Sequence, residues 1–174
     1  MKVCAFSGHR PHKFPWKYNE SDPQCLALKA ALTEQIVRLS ETGVSDWLSG
    51  MAEGTDFWAA EAILTLRENN PAAKLHCILP CREQPDKWSE DAKNRYFSIL
   101  RQADSVVYVS RNYYKDCMLD RNRFMVDHAS ILLAVYNGEK RGGTAATVNY
   151  AKKMKREIIA IDPFSHEAVH LFNP

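Results

Sequence analysis

The chain has 174 residues, room for one domain, since domains usually run to about 100–200 residues. Hydrophobic residues are 45% and charged residues 25% of the total, a globular composition that excludes a disordered tail. A net charge of +2, from 23 basic and 21 acidic residues, excludes a field strong enough to drive bulk nucleic-acid or membrane binding. No apolar run approaches the ~20 residues that span a bilayer, and the start, Met1 to Ser7, lacks a signal-peptide apolar region. Five cysteines, with no Cys-x-x-Cys pair, point to reduced thiols and a cytoplasmic setting.

In chain order, Val3 to Ser7 reads as a strand, and Gly8 to Pro23, with its three prolines, as a loop. Leu28, Leu32, Ile36 and Leu39 recur at helical spacing within a helix from about Gln24 to Thr42, stopped at Gly43. Asp46 to Ser49 makes a second strand, and Thr55 or Asp56 caps a helix reaching about Asn69. Leu75 to Leu79 is a third strand. Trp88, Ala92, Tyr96, Ile99 and Ala103 then share a helical face, and Ser105 to Val109 is strand four. A helix over about 118–128, a strand over 131–136, a helix over about 145–155 and a last strand over 158–161 complete the series, the last closing the sheet.

Strands alternating with helices imply a parallel sheet, because parallel strands need crossover connections. The expected fold is a single Rossmann-like α/β domain over residues 1–174, mostly parallel, with helices on both faces. Ligands in such sheets sit beyond the carboxyl ends of the strands. Three turns fall there: Ser7-Gly8-His9-Arg10, the Ser49–Asp56 turn with Gly50, Gly54 and Thr55, and Arg141-Gly142-Gly143-Thr144. Glycines there allow close backbone approach, and the following helices offer free N–H groups to a phosphate. Neither Gly-x-Gly-x-x-Gly nor a P-loop motif is present, which argues against an ordinary dinucleotide dehydrogenase and a P-loop ATPase.

The run Gly8-His9-Arg10-Pro11 with Lys13, Pro15-Trp16, Tyr18 and Glu20 resembles the opening motif of the YpsA family of the SLOG superfamily. Ser49-Gly50-Met51-Ala52-Glu53-Gly54-Thr55-Asp56 is similar to that superfamily's Ser-Gly-x-Ala-x-Gly-[Ile/Thr]-Asp turn, shared with the DNA-processing protein A family. Gly142-Gly143-Thr144 followed by Asn149-Tyr150-Ala151 also fits, so the resemblance runs from about residue 3 to 161. It implies a nucleotide or nucleotide-derived ligand, AMP- or ADP-ribose-like, at the glycine edge. The superfamily includes enzymes, nucleotide sensors and single-strand DNA-binding proteins.

Its phosphoribohydrolase branch carries Met-His-x-Arg-Lys-x-x-Met, and Met118 to Met125 matches the spacing, which places Arg121 on that branch's catalytic arginine. The branch's second motif ends in a catalytic glutamate, whose position here is Asn149. An amide cannot act as the carboxylate that N-glycosidic cleavage calls for. The expectation is therefore ligand sensing or signalling, with nucleotide hydrolysis as the alternative, in which Arg121 holds phosphate and Glu53 or Asp56 replaces the missing acid. A single-strand DNA-binding module is the second alternative, against which the near-neutral charge argues.

The binding set expected from these readings is Ser7, Gly8, His9, Arg10, Gly50, Gly54, Thr55, Gly142, Gly143, Thr144 and Asn149. Asp56 reads either as a first-turn helix acid or as a ribose contact, and Glu53 either as a base or as an exposed charge. Trp16 and Tyr18 read as a base-stacking lid or as local core. Arg121 and Arg123, two apart, cannot share a helical face, so only Arg121 is assigned to the site. No cofactor and no metal site are expected: His9 and His12 lack a third ligand, and Cys77 and Cys81 suit a core. The basic end Lys152, Lys153, Lys155 and Arg156 complements a helix dipole and is the best patch for DNA. A homodimer is compatible with every reading.

Overall fold

A computed structural model describes residues 2–174. Seven strands form one sheet in the order β4-β3-β2-β1-β5-β6-β7: β1 (Lys2–Ser7), β2 (Val44–Ser49), β3 (Lys74–Leu79), β4 (Ser105–Tyr108), β5 (Ile131–Val135), β6 (Glu157–Ile161) and β7 (Ala168–Phe172). The helices are α1 (Pro23–Glu41), α2 (Thr55–Asn69), α3 (Glu90–Gln102), α4 (Cys117–Asp127) and α5 (Gly143–Lys153). All pairings are parallel except β6 with β7. The α/β architecture is thus as read from the alternation of apolar runs. The closing strand is not. β6 is covered by an antiparallel β7, which the sequence reading missed.

The reason lies in the composition of β7: Ala168, Val169, His170 and Leu171 are all exposed, so the strand lacks a buried face. It is positioned by its turn, where the Asp162 carboxylate accepts from the N–H groups of Phe164 and Ser165 at 2.8 and 2.9 Å. His166, at φ +62°, reverses the chain.

Two apolar layers sandwich the sheet. Cys4, Phe6, Trp47, Leu75 and Cys77 face a layer that includes Leu28, Leu32 and Ile36 of α1, Phe57 and Ile63 of α2, and Tyr96 and Ile99 of α3. Alternate residues of the same strands, Ala5, Leu48 and Ile78, face Met125 and Val126 of α4 and Val148 and Ala151 of α5. This is the period-two division expected of strands buried on both faces. β2, β3 and β4 run outward from one side of β1, while β5 lies on its other side. The strand order therefore reverses between β1 and β5, and in open α/β sheets the crevice at that switch point is where ligands bind.

A polar clamp ties the proline-rich loop to the body. Arg95 of α3 donates to Glu20 of the loop (2.5 and 3.0 Å) and to Glu61 of α2 (2.6 and 2.7 Å), and Lys29 reaches Glu20 at 2.9 Å. Burial alone would push the Glu20 carboxyl up, but Arg95 and Lys29 hold it down at about 2. Trp16 of the same loop stacks on Phe14 with ring centres 4.7 Å apart, and Phe14 packs on Trp58.

Candidate functional site

A cleft of about 280 Å³ opens at the β1/β5 switch point. Its walls come from the turn after β1, the first turn of α2, one side of α4 and the start of α5. Ser7, Gly8, His9, Arg10, Asp56, Arg121, Gly143 and Thr144 all line it. His12, Lys13, Ala52, Met118, Leu119 and Asn122 line it too. The sequence reading did not assign these six to the site, although Lys13, Ala52 and the Met118–Met125 run fall in its motifs, because their membership depends on how α4 and the loop lie over the strand ends.

Arg121 sits on the floor and is only 3% exposed. Its Nη1 donates to the Gly50 carbonyl and, at 3.4 Å, to that of Ile78, while Nε donates to Asn122 Oδ1 at 2.8 Å. Asn122 in turn donates to Thr147 Oγ1 at 3.0 Å, which links the arginine to α5. Among the described residues Nη2 has no hydrogen-bond partner. Burial pulls the Arg121 pKa down and the nearby Asp56 carboxylate resists that pull; a guanidinium remains a cation under such conditions. Arg123, two residues on, is exposed and pairs with Asp120 at 3.2 Å.

Asp56 accepts the Ala52 N–H at 3.2 Å through Oδ2. Burial raises its pKa, opposed by Arg121, by the Ala52 N–H and by Arg10. Its own backbone carbonyl accepts from the Ser49 hydroxyl at 2.9 Å, and that hydroxyl accepts the Met51 N–H at 3.2 Å. The Ser49–Asp56 turn is thus stitched across the start of α2, with fully buried Met51 held at φ +56°.

The glycines divide into two groups. A Cβ on Gly8 would lie 2.4 Å from Thr55 Oγ1, and one on Gly50 would lie 2.3 Å from Arg121 Nη1. Gly54, at φ +89°, approaches the His9 carbonyl, which also accepts from the Thr55 N–H and hydroxyl. These three glycines let the turns interlock with one another, so the start of α2 is covered by the β1 turn. Gly142 and Gly143 have nothing within 4 Å of an added Cβ among the described residues. The start of α5 is therefore open, and among the described residues the N–H groups of Gly143, Thr144 and Ala145 have no partner.

The remaining expected residues lie elsewhere. Trp16, stacked on Phe14, is only 7% exposed, so its ring belongs to the core and not to a lid. Tyr18 and Glu53 border an adjoining cavity of about 500 Å³. Asn149 faces a separate groove between α4 and α5, with Tyr150 and Arg123. Gly142 caps α5 at φ +106°. His9 Nε2 is buried and, among the described residues, has no hydrogen-bond partner; Glu139 lies 3.8 Å away. Burial lowers the His9 pKa, which keeps the ring neutral near pH 7. No three His, Cys, Asp or Glu side chains among the described residues are grouped to hold a metal, and no helix there is long and apolar enough to cross a membrane.

A family model described as the YspA SLOG family matches residues 4–165. The chain belongs to this SLOG family. Related family members include UPF0398 proteins of Bacillus cereus, 33% identical over 88% of this chain and 84% of the relative, and of Bacillus licheniformis, 31% identical over 90% and 86%. A Bacillus pumilus relative is 29% identical over 96% of this chain and 97% of its own. Two solved structures share the fold at 16% identity. They are DNA processing protein A from Helicobacter pylori (TM-score 0.62, 92% of this chain) and from Streptococcus pneumoniae (TM-score 0.60, 95%). This SLOG chain spans 65% and 53% of their lengths, respectively.

Proposed function

We propose that the cleft binds the phosphate of a nucleotide or nucleotide-derived ligand, AMP- or ADP-ribose-like, and that the protein acts as a sensor of that ligand. The observation that carries this reading is the buried Arg121 guanidinium lining the same cleft as the uncapped, open start of α5. Free N–H groups, the positive end of a helix dipole and a fixed planar cation together favour a phosphate. Exposed Arg10 and Lys13 at the rim add cations against a single acid of the lining, Asp56.

A thermal-shift panel with AMP, ADP-ribose, NAD and a short single-stranded oligonucleotide tests it. A ligand at 100 times its Kd adds about 2.7 kcal/mol, or a rise of about 5–10 °C at this chain length. A shift with a small nucleotide supports the reading. A shift with the oligonucleotide alone, weakening linearly in log–log salt, replaces it with the single-stranded DNA binding named for the Helicobacter pylori structure.

Asp56 favours a second reading, hydrolysis of the N-glycosidic bond. It lines the cleft with Arg121, and its raised pKa suits a group that exchanges a proton with water. In that reaction water attacks the ribose C1′ while the base departs. Free base released from AMP, lost in Asp56→Asn with AMP binding intact, would establish it; no release would leave sensing alone.

A further inference from the structure

The phosphate cleft is small. At about 280 Å³ it falls short of the ~300–1,000 Å³ of usual ligand pockets. It does not end there: Arg10 and His12 border both this cleft and the 500 Å³ cavity beside it. The chemistry changes across that boundary. On the far side stand the carboxylate of Glu53, the rings of Tyr18 and Trp88 and, at the exposed edge, Lys87. A carboxylate repels a second phosphate but accepts hydrogen bonds from hydroxyls, as acidic residues do with the ribose diol in dinucleotide-binding sheets. Tyr18 is 64% exposed, so its ring is free to cover a base. Trp88 is fixed by edge contacts to Phe57 and Tyr96 at 5.7 and 5.4 Å.

We infer that this second cavity receives the nucleoside of the ligand, with Glu53 on the ribose 2′- and 3′-hydroxyls, Tyr18 and Trp88 on the base, and Arg10 over the phosphate at the boundary. The site then selects ribonucleotides over deoxyribonucleotides. Burial raises the Glu53 pKa, and the charges of Arg10 and Arg95 oppose the rise. The inference rests on the phosphate reading of the first cleft and goes beyond it to the class of ligand.

Titration calorimetry with pyrophosphate, AMP and 2′-deoxy-AMP, on the wild type and on Glu53→Gln and Tyr18→Ala, separates the two claims. The expected result is AMP binding at least tenfold tighter than 2′-deoxy-AMP. Glu53→Gln should collapse that preference, Tyr18→Ala should weaken both nucleotides about tenfold, and neither should change pyrophosphate binding. Both variants alter side chains at least partly open to solvent, and a matched thermal melt verifies folding. Pyrophosphate binding with no preference between the two nucleotides overturns the nucleoside cavity and leaves the phosphate cleft standing. AMP selectivity that depends on Glu53, without pyrophosphate binding, does the reverse. No binding of any of the three overturns both.

Discussion

Gly50→Ala isolates the packing that holds the central cation. Gly50 lies outside the left-handed region, so alanine meets no backbone penalty there, and by itself the exchange would favour folding by up to about 1 kcal/mol. The new Cβ, however, would lie 2.3 Å from Arg121 Nη1 and 2.4 Å from Cζ. The guanidinium must leave, and with it go the bonds from Nη1 to the Gly50 and Ile78 carbonyls. Hydrogen bonds to a charged group contribute about 1.5–3 kcal/mol each, and the Ile78 contact is long at 3.4 Å. A net loss of about 2–4 kcal/mol follows, or roughly 5–15 °C in Tm at this length. Displacing the guanidinium should also weaken AMP binding at least tenfold. Urea melts and AMP titrations on Gly50→Ala, Arg121→Met and the double variant form a cycle. Since the clash is with one side chain, the two substitutions should couple by about 1–3 kcal/mol. Additive losses, or Gly50→Ala with wild-type Tm and affinity, would refute the argument.

Gly143→Ala should leave stability unchanged or raise it by up to about 1 kcal/mol, since its Cβ meets nothing within 4 Å, whereas Gly143→Val should fold yet lose AMP binding, as titration of the two variants side by side would show. Gly8→Ala should cost about 1–3 kcal/mol through overpacking against Thr55, read as a lower urea midpoint at unchanged slope. Glu20→Gln should cost about 1 kcal/mol at pH 7, the upper end for partly exposed ion pairs. Because the folded Glu20 pKa lies at about 2, below its ordinary 4.5, that contribution is present above pH 4.5 and is lost as the pH falls towards 2. The melting curves of the wild type and Glu20→Gln should therefore converge between pH 4.5 and 2; a constant gap would contradict the clamp.

Most of the fold was legible because its strands are buried on both faces and its helices carry one apolar side. β5, Ile131–Val135, is buried at every position, and α1 repeats its buried residues at three- and four-residue intervals. β7 escaped because an exposed edge strand needs no such pattern. The location of the cleft was legible too, from the rule that turns beyond the strand ends carry ligands. The reason for each glycine was not. Glycine looks the same in sequence whether the group approaching it is a ligand or the protein's own side chain, as Gly50 beneath Arg121 and Gly143 in open space illustrate. Trp16 stayed open between lid and local core for a related reason: a loop aromatic next to a proline gives no sign of whether its ring turns outward, and here Phe14 lies under it.

The central claim is a phosphate held between Arg121 and the open start of α5. Its most direct test is titration of AMP into the wild type and into Gly143→Val, with pyrophosphate as competitor. The account predicts saturable one-to-one binding to the wild type, displaced by pyrophosphate and lost in the folded variant. AMP binding that survives in Gly143→Val, or none to the folded wild type at millimolar concentration, would contradict it.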